Sequence, residues 1–308
     1  MSTLKQRFLL VSDMHYTTNK TPEELKKLYP TANAAAAAGN AFGFSQREKI
    51  DKIYKDIERE HNRSAIDAVF VLGDLSIDDY DFRKLPKNYC QRFKEECLDK
   101  LPFPYHVIPG NHDSYPDEIW QSIFGTSREF AIKIGNCAFI LLDTFKKLPA
   151  TSASGAPHTP VNDEFLIECL EKFKGNKIFL CSHYFESKTE NNASFSERAR
   201  ELIKENQDIV FIYRGHTHKN NVIDMGETYG NKLMVDIGGY GYEGHKIDGR
   251  YEFNIFDYKW AWGYQILEIY DDVIKTYHIK TDMHYVGING EFDVEETTEG
   301  YTEYTLNK

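Results

Sequence analysis

The sequence predicts an α/β fold, and two observations carry that prediction. Short runs rich in Val, Ile and Phe recur along the chain, nearly continuous in hydrophobicity, as strands covered on both faces are. Between them lie segments of helical periodicity, and alternation of the two element types points to α/β architecture. The strand-like runs are Phe8–Val11, Val69–Leu72, Tyr105–Ile108, Ala138–Leu142, Ile178–Cys181, Ile209–Tyr213 and Leu233–Ile237.

Taken in order, Phe8–Val11 opens the fold. The N-terminal stretch around it has only a short apolar core and no small-residue cleavage site, so it reads as a strand rather than a signal peptide. Residues 17–44 form a long insert whose alanine run, Ala34–Ala38, is flanked by Asn33 and Gly39-Asn40; a loop or lid near the first strand's end is expected. Ser45-Gln-Arg-Glu48 is a capping box, and Ile50, Ile53, Tyr54 and Ile57 behind it share one helix face. Asn162 or Asp163 caps a helix carrying Phe165, Leu166, Cys169, Leu170 and Phe173, and a third helix is expected from about Ser196 to Glu205. From about Lys232 strands dominate, with Trp262–Ile269 and Val273–Ile279 as a hairpin across Asp271-Asp272. Residues 290–308, rich in Glu and Thr, read as an acidic tail or an edge strand. No Pro/Gly/Ser linker divides the chain, so residues 1–308 are expected to form a single domain.

Composition narrows the function. With 37 Lys and Arg against 48 Asp and Glu, the formal charge is −11, which disfavours nucleic acid as a primary partner. No run reaches the 18 or so apolar residues of a membrane span. The five cysteines, Cys90, Cys97, Cys137, Cys169 and Cys181, form no C-x-x-C, and a reduced, cytoplasmic protein is expected. Cys181 precedes His183 by two residues but lies in an apolar strand without a basic neighbour, so a buried thiol is expected rather than a nucleophile.

The informative pattern is where strands stop. They end in Asp13-Met-His15, Asp74, Asn111-His112-Asp113, His183 and His216-Thr-His218. Ligands bind at the carboxyl ends of strands in open α/β sheets, so these groups are expected to share one rim. Such a gathering is costly unless compensated, and carboxylate, amide and imidazole are all metal donors. Two ions need a shared oxygen, for which Asp74, alone at its strand end, is the natural bridge. In Asp13-x-His15 and His216-x-His218, alternate residues of an extended segment would point the same way. Taken singly, each aspartate is equally a cap or turn former, and His183 a buried structural histidine.

As a set, D-M-H (13–15), G-D (73–74), G-N-H-D (110–113), His183 and G-H-T-H (215–218) resemble, in order, the calcineurin-like metallophosphoesterases. The resemblance covers about residues 1–220 and implies a four-layer αββα sandwich of two mixed sheets flanked by helices. It implies two transition-metal ions, divalent or trivalent, with Mn, Fe and Zn the favoured identities. Asp13, His15, Asp74 and His218 would hold one, and Asp74, Asn111, His183 and His216 the other. His112 would be the catalytic histidine, with Asp113 orienting its ring. In the purple acid phosphatases a tyrosine follows the G-D aspartate by three residues; here Ile77 stands there, so the chain looks non-purple and similar to bacterial cyclic-nucleotide phosphodiesterase relatives.

The expected function is therefore hydrolysis of a small phosphate ester by hydroxide generated between the ions, phosphodiesters favoured over monoesters. Pyrophosphate or phospholipid head-group hydrolysis, and a silent scaffold binding a protein partner, are the rivals. Specificity would come from rim loops at 17–44, 114–128, 145–160 and 186–195. Gly239-Tyr-Gly241-Tyr-Glu-Gly244 matches G-x-G-x-x-G, but no helix follows to hold a pyrophosphate. It is expected to be a loop with Tyr240 and Tyr242 available to stack on substrate. His61, His106, His158, His245, His278 and His284 are expected to be surface or structural, and Asp143-Thr144 to have a turn or packing role.

Overall fold

In the computed structural model, residues 2–16, 46–76, 89–113, 115–146, 157–186, 194–240, 262–287 and 290–306 are described. The first half contributes β1 (Leu4–Val11), α1 (Gln46–Arg63), β2 (Ala68–Leu72), α2 (Tyr89–Glu96), β3 (Tyr105–Ile108), α3 (Asp117–Phe124), β4 (Phe130–Ile134) and β5 (Cys137–Leu142). The second half contributes α4 (Asp163–Lys172), β6 (Lys177–Ser182), α5 (Glu197–Glu205), β7 (Ile209–Arg214), β8 (Asn220–Asp224) and β9 (Leu233–Ile237). The C-terminal strands are β10 (Gly263–Tyr270), β11 (Val273–Lys280), β12 (Met283–Gly287), β13 (Gly290–Val294) and β14 (Thr297–Thr305).

Two six-stranded mixed sheets form, in the orders β14-β11-β10-β1-β2-β3 and β4-β5-β6-β7-β9-β8. The strands that end in candidate site residues run parallel within each sheet, β1, β2 and β3 in one and β6 and β7 in the other. Side-chain alternation builds the layers. Leu9 and Val11 pack with Ile50, Ile53 and Ile57 of α1, while Phe8 and Leu10 face the second sheet. In that sheet Phe139 and Cys181 face inward, and Ile140 and Leu180 pack with Leu166 of α4 and Ile203 of α5. The result is helix, sheet, sheet, helix.

Several local expectations meet their physical cause. The Asn162 side chain accepts from the Phe165 N–H, and Ser196 caps α5 the same way at Ala199. The hairpin across Asp271-Asp272 forms, with β10 also pairing antiparallel to β1. Residues 297–305 are an edge strand, β14, rather than a tail. Segment 114–128 is not a loop throughout: Pro116 stands at the N-cap of α3 and Gly125 closes it in the left-handed region. The capping box and the 17–44 insert fall outside the described residues, except that α1 begins at Gln46. No described helix is long and apolar enough to cross a membrane.

The inter-sheet layer is centred on Phe139, whose ring lies 4.1 Å from Phe70, 4.8 Å from Phe8 and 5.1 Å from Phe179. Phe139→Ala should cost about 3–5 kcal/mol, the range for a fully buried aromatic truncated to Ala. Urea unfolding checks it as a lower midpoint at unchanged slope; a loss under ~1 kcal/mol would mean the sheets are held elsewhere.

Candidate metal centre

The expected rim exists. Asp13, His15, Asp74, Asn111, His112, Asp113 and His183 are buried, and His216 and His218 are partly open. They form three overlapping donor groups: Asp13, His15 and His218; His15, Asp74 and His112; and Asp74, His183 and His216, with ligating atoms within 4.8 Å of one another in each.

Asp74 joins the halves. Its Oδ2 lies 3.7 Å from His15 Nε2 and 3.2 Å from His183 Nε2, while its Oδ1 accepts the His112 N–H at 2.8 Å. Asp13 Oδ1 is 3.0 Å from His218 Nε2, whose partner nitrogen, His15 Nε2, is 3.2 Å away. Asn111 Oδ1 sits 2.9 Å from His183 Nε2 and 2.8 Å from His216 Nδ1.

The backbone explains how the pairs converge, and it corrects one expectation. Asp13-x-His15 and His216-x-His218 are not extended: φ is +58° and +46° in the first pair and +66° and +51° in the second. Asp74 joins them at +51°, so five of the six non-glycine residues with positive φ among those described are site candidates. Left-handed turns aim both members of each pair into the rim. Such turns cost about 1–2 kcal/mol per residue and persist where the surroundings over-determine them. Main-chain bonds across the strand ends do that work, Asp13 N–H to the Gly73 carbonyl (3.1 Å) and His15 N–H to that of Asp74 (2.9 Å).

Glycine at 110 and 215 answers to space, not to turning. A Cβ on Gly110 would lie 2.1 Å from Asp74 Oδ1, and one on Gly215 2.0 Å from Ser12 Oγ.

Asp113 also departs from expectation. Its carboxylate accepts N–H groups of Gly110 (2.9 Å), Leu75 (3.1 Å) and Ser76 (2.9 Å), together with the Ser76 hydroxyl. It therefore ties the β3 end to the β2 end rather than orienting the His112 ring. Burial, with Asp74 nearby, pushes its carboxyl pKa up.

Donor chemistry tests whether a cation fits. His183 Nδ1 is 2.7 Å from the Leu72 carbonyl, which only accepts, so Nδ1 carries the hydrogen. Nε2 of a neutral ring then turns its lone pair toward the Asn111 and Asp74 oxygens and toward His216 Nδ1, 3.3 Å away. Acceptors facing acceptors need a positive charge between them. With none, burial opposes charge on Asp13 and Asp74, but the imidazoles outweigh it and hold both carboxyls below their ordinary range. Burial is outweighed at His183 too, where Asp74 and Asp13 raise the pKa to about 9. At His15 and His216 burial wins, lowering them to about 4 and about 3, so both offer lone pairs at neutral pH. The residues fit a bound metal cation.

Sequence reasoning missed the walls. The Tyr184 ring lies 5.0 Å from His216 edge-on, and Phe145 lies 5.5 Å from His183. Each follows a strand end by one to three residues, a position the search for donors passed over. Behind them Arg214 bonds Asp236 and the Phe185 carbonyl, steadying the approach to Gly215-His216. Arg128 bonds Asp143 and the Tyr115 and Phe145 carbonyls, and Asp143 Oδ1 accepts the Phe145 N–H, so Asp143 packs the start of this segment. Tyr240 is 2 % exposed within the α1 core cluster and is not available to stack on a substrate; Tyr242 lies outside the described residues. All five cysteines are buried free thiols, and burial pushes the Cys181 thiol up, so it is no nucleophile.

Gly110→Ala tests the packing around Asp74. The added methyl must displace Asp74, so the chain should fold with a loss of about 1–3 kcal/mol yet bind metal far below the wild-type stoichiometry. Full metal loading by elemental analysis would contradict the close approach.

A family model described as calcineurin-like phosphoesterase matches residues 6–220. No curated protein sequence matches the chain. Among solved structures, the fold is similar to a dimetal phosphatase from Danio rerio, at TM-score 0.57 and 12% identity over 97% of this chain and 100% of that one. It is also similar to PhoD, at TM-score 0.52 and 12% identity over 100% of this chain and 73% of that one.

Proposed function

Because the chain belongs to the calcineurin-like phosphoesterases, and is thereby a phosphoric ester hydrolase, we propose that it cleaves small phosphodiesters at the seam between its two sheets. One observation carries the reading: Asp74 Oδ2 faces His15 Nε2 on one side and His183 Nε2 on the other, so a single oxygen serves both donor clusters. Asp13, His15, Asp74 and His218 would hold one transition-metal ion, and Asp74, Asn111, His183 and His216 a second. Mixed nitrogen and oxygen donors suit Mn, Fe or Zn. Bound there, such a pair of cations neutralises phosphoryl oxygens and brings the pKa of a water toward neutrality.

The chain's own groups supply the rest. The His112 ring stands edge-on to His15 at 5.2 Å, and its main-chain N–H is held by Asp74. It is placed to protonate the departing alkoxide, which is a poor leaving group without a proton. Asp113 is a positioning residue, fixing the loop on which His112 rides. Phe145 and Tyr184 close one flank of the donor cluster against water. Preference for diesters follows the likeness of the motif set to bacterial cyclic-nucleotide phosphodiesterase relatives. Buried free thiols accord with a reducing, cytoplasmic setting.

Two substitutions divide the labour. Asp74→Ala should abolish binding of both ions and all turnover. His112→Ala should keep its metal while kcat falls by about 10²–10⁴, the usual range for lost acid catalysis. Elemental analysis beside steady-state kinetics reads both, and metal loss in the His112 variant would reassign that residue as a ligand.

Substrate class is read by comparing bis-aryl with mono-aryl phosphate after loading with Mn²⁺, Fe²⁺ or Zn²⁺. Higher kcat/KM on the bis-aryl ester is expected. Preference for the mono-aryl ester would make the chain a phosphomonoesterase, and no hydrolysis of either would favour the scaffold.

A further inference from the structure

We propose that Tyr240 and Asp56 are positioning residues for the Asp13–His15 half of the metal centre, with Tyr240 bracing the left-handed turn against helix α1. The inference rests on the metal-centre reading and adds to it residues that do not touch the ions.

The turn at Asp13-Met14-His15 is supported from two directions. Its strand-side bonds to Gly73 and Asp74 hold one flank. On the other, the Tyr240 N–H points at the carbonyls of Ser12 and Asp13, 3.1 Å from each. The chain runs close there: a Cβ on Gly239 would lie 3.2 Å from Asp13 Cβ. Tyr240 thus sits directly on the backbone that sets the direction of the Asp13 carboxylate.

What fixes Tyr240 is its hydroxyl, which donates to Asp56 Oδ2 on α1. Asp56 is itself buried and over-tied. Lys52 Nζ reaches its Oδ1 at 2.6 Å and Arg59 Nη2 at 3.0 Å, while the Thr281 hydroxyl donates to Oδ2 at 2.6 Å. Burial and the Asp56 charge push the phenol pKa well up, so the hydroxyl keeps its proton and remains a donor. Helix α1 also reaches the turn directly, through buried Lys49 Nζ on the Met14 carbonyl at 3.1 Å. One helix therefore bears on the Asp13–His15 turn twice, and one of the two routes passes through Tyr240. That residue lies beyond residue 220, where the family match ends.

The consequence falls chiefly on one ion. Asn111 lies outside this chain of contacts, which meets the second cluster only through Asp13, whose Oδ2 accepts the His216 N–H at 3.0 Å. Loosening these contacts should let Asp13 leave its left-handed conformation and weaken the ion that Asp13 holds more than the other. Outer-shell partners of ligands typically govern 10–100-fold in metal affinity.

The test uses the full-length chain freed of metal and titrated with Mn²⁺, with free ion read by electron paramagnetic resonance and heat by calorimetry. Wild type should bind two ions. Tyr240→Phe keeps the backbone N–H but loses the brace, so one ion should weaken about 10–100-fold and the other by clearly less, equal weakening of both counting against the proposal. Thr281→Val removes a hydrogen bond to the same Asp56 oxygen without touching the turn, and should bind both ions as wild type does. Equal weakening in Thr281→Val would show a general loss of packing and overturn the proposal, as would wild-type affinity in Tyr240→Phe. Should Tyr240→Phe fail to fold, Asp56→Asn, which replaces the charged acceptor by a neutral one, must weaken one ion more than the other or the proposal falls. A wild-type chain that binds no Mn²⁺ overturns the metal-centre reading and this one with it, whereas two tight ions in every variant overturn the brace alone.

Discussion

The architecture turns on crowding at one carboxylate. Asp74 must sit where acceptor atoms from both sheets converge, on backbone that is itself left-handed. At about 1–2 kcal/mol for each left-handed residue, five such residues cost an amount comparable to the whole net stability of a typical domain. The strand ends therefore cannot be stable by themselves, and the surrounding structure has to impose them. It does so by main-chain bonds between neighbouring strand ends, by Asp113 tying two of those ends together, and by glycines that leave Asp74 room.

The sandwich supplies the rigidity this requires. The donors come from two sheets: β1, β2 and β3 deliver Asp13, His15, Asp74, Asn111 and His112, and β6 and β7 deliver His183, His216 and His218. A slip of one sheet over the other would separate Asp74 from His183. Interlocked aromatic rings in the inter-sheet layer resist that slip, because close-packed cores deform little. The strands beyond residue 262 matter for the same reason, since β10 pairs along β1 and fixes the edge from which Asp13 projects.

The sequence made the donors legible because strands announce themselves by continuous hydrophobicity and a polar residue at each end stands out against it. Element type was readable wherever a cap and a periodic face agreed, as at Asn162 and Ser196. What stayed hidden depends on partners remote in sequence. Nothing local marks His15 or His218 as left-handed, because non-glycine residues take that conformation only under tertiary constraint. Tyr240 looked like a free loop aromatic, since its acceptor, Asp56, is 184 residues away. A carboxylate beside a histidine, as at Asp113, gives no sign in the sequence of whether it faces the ring or the main chain. Helix α3 was overlooked because eight residues offer too little periodicity to separate from a loop.

Placing a metal centre across the seam joins two properties that are separate in many enzymes. A cation held by Asp74 together with His183 and His216 would link the first sheet to the second, so ion binding and sheet docking would be coupled. Anything that binds the folded state alone stabilises it by mass action. His183 Nε2 faces the Asn111 and Asp74 oxygens, and the Asp74 and Asp13 charges raise its pKa. The proton and the metal compete for the same lone pair. The raised pKa of His183 reflects the negative field that Asp74 and Asp13 place around it.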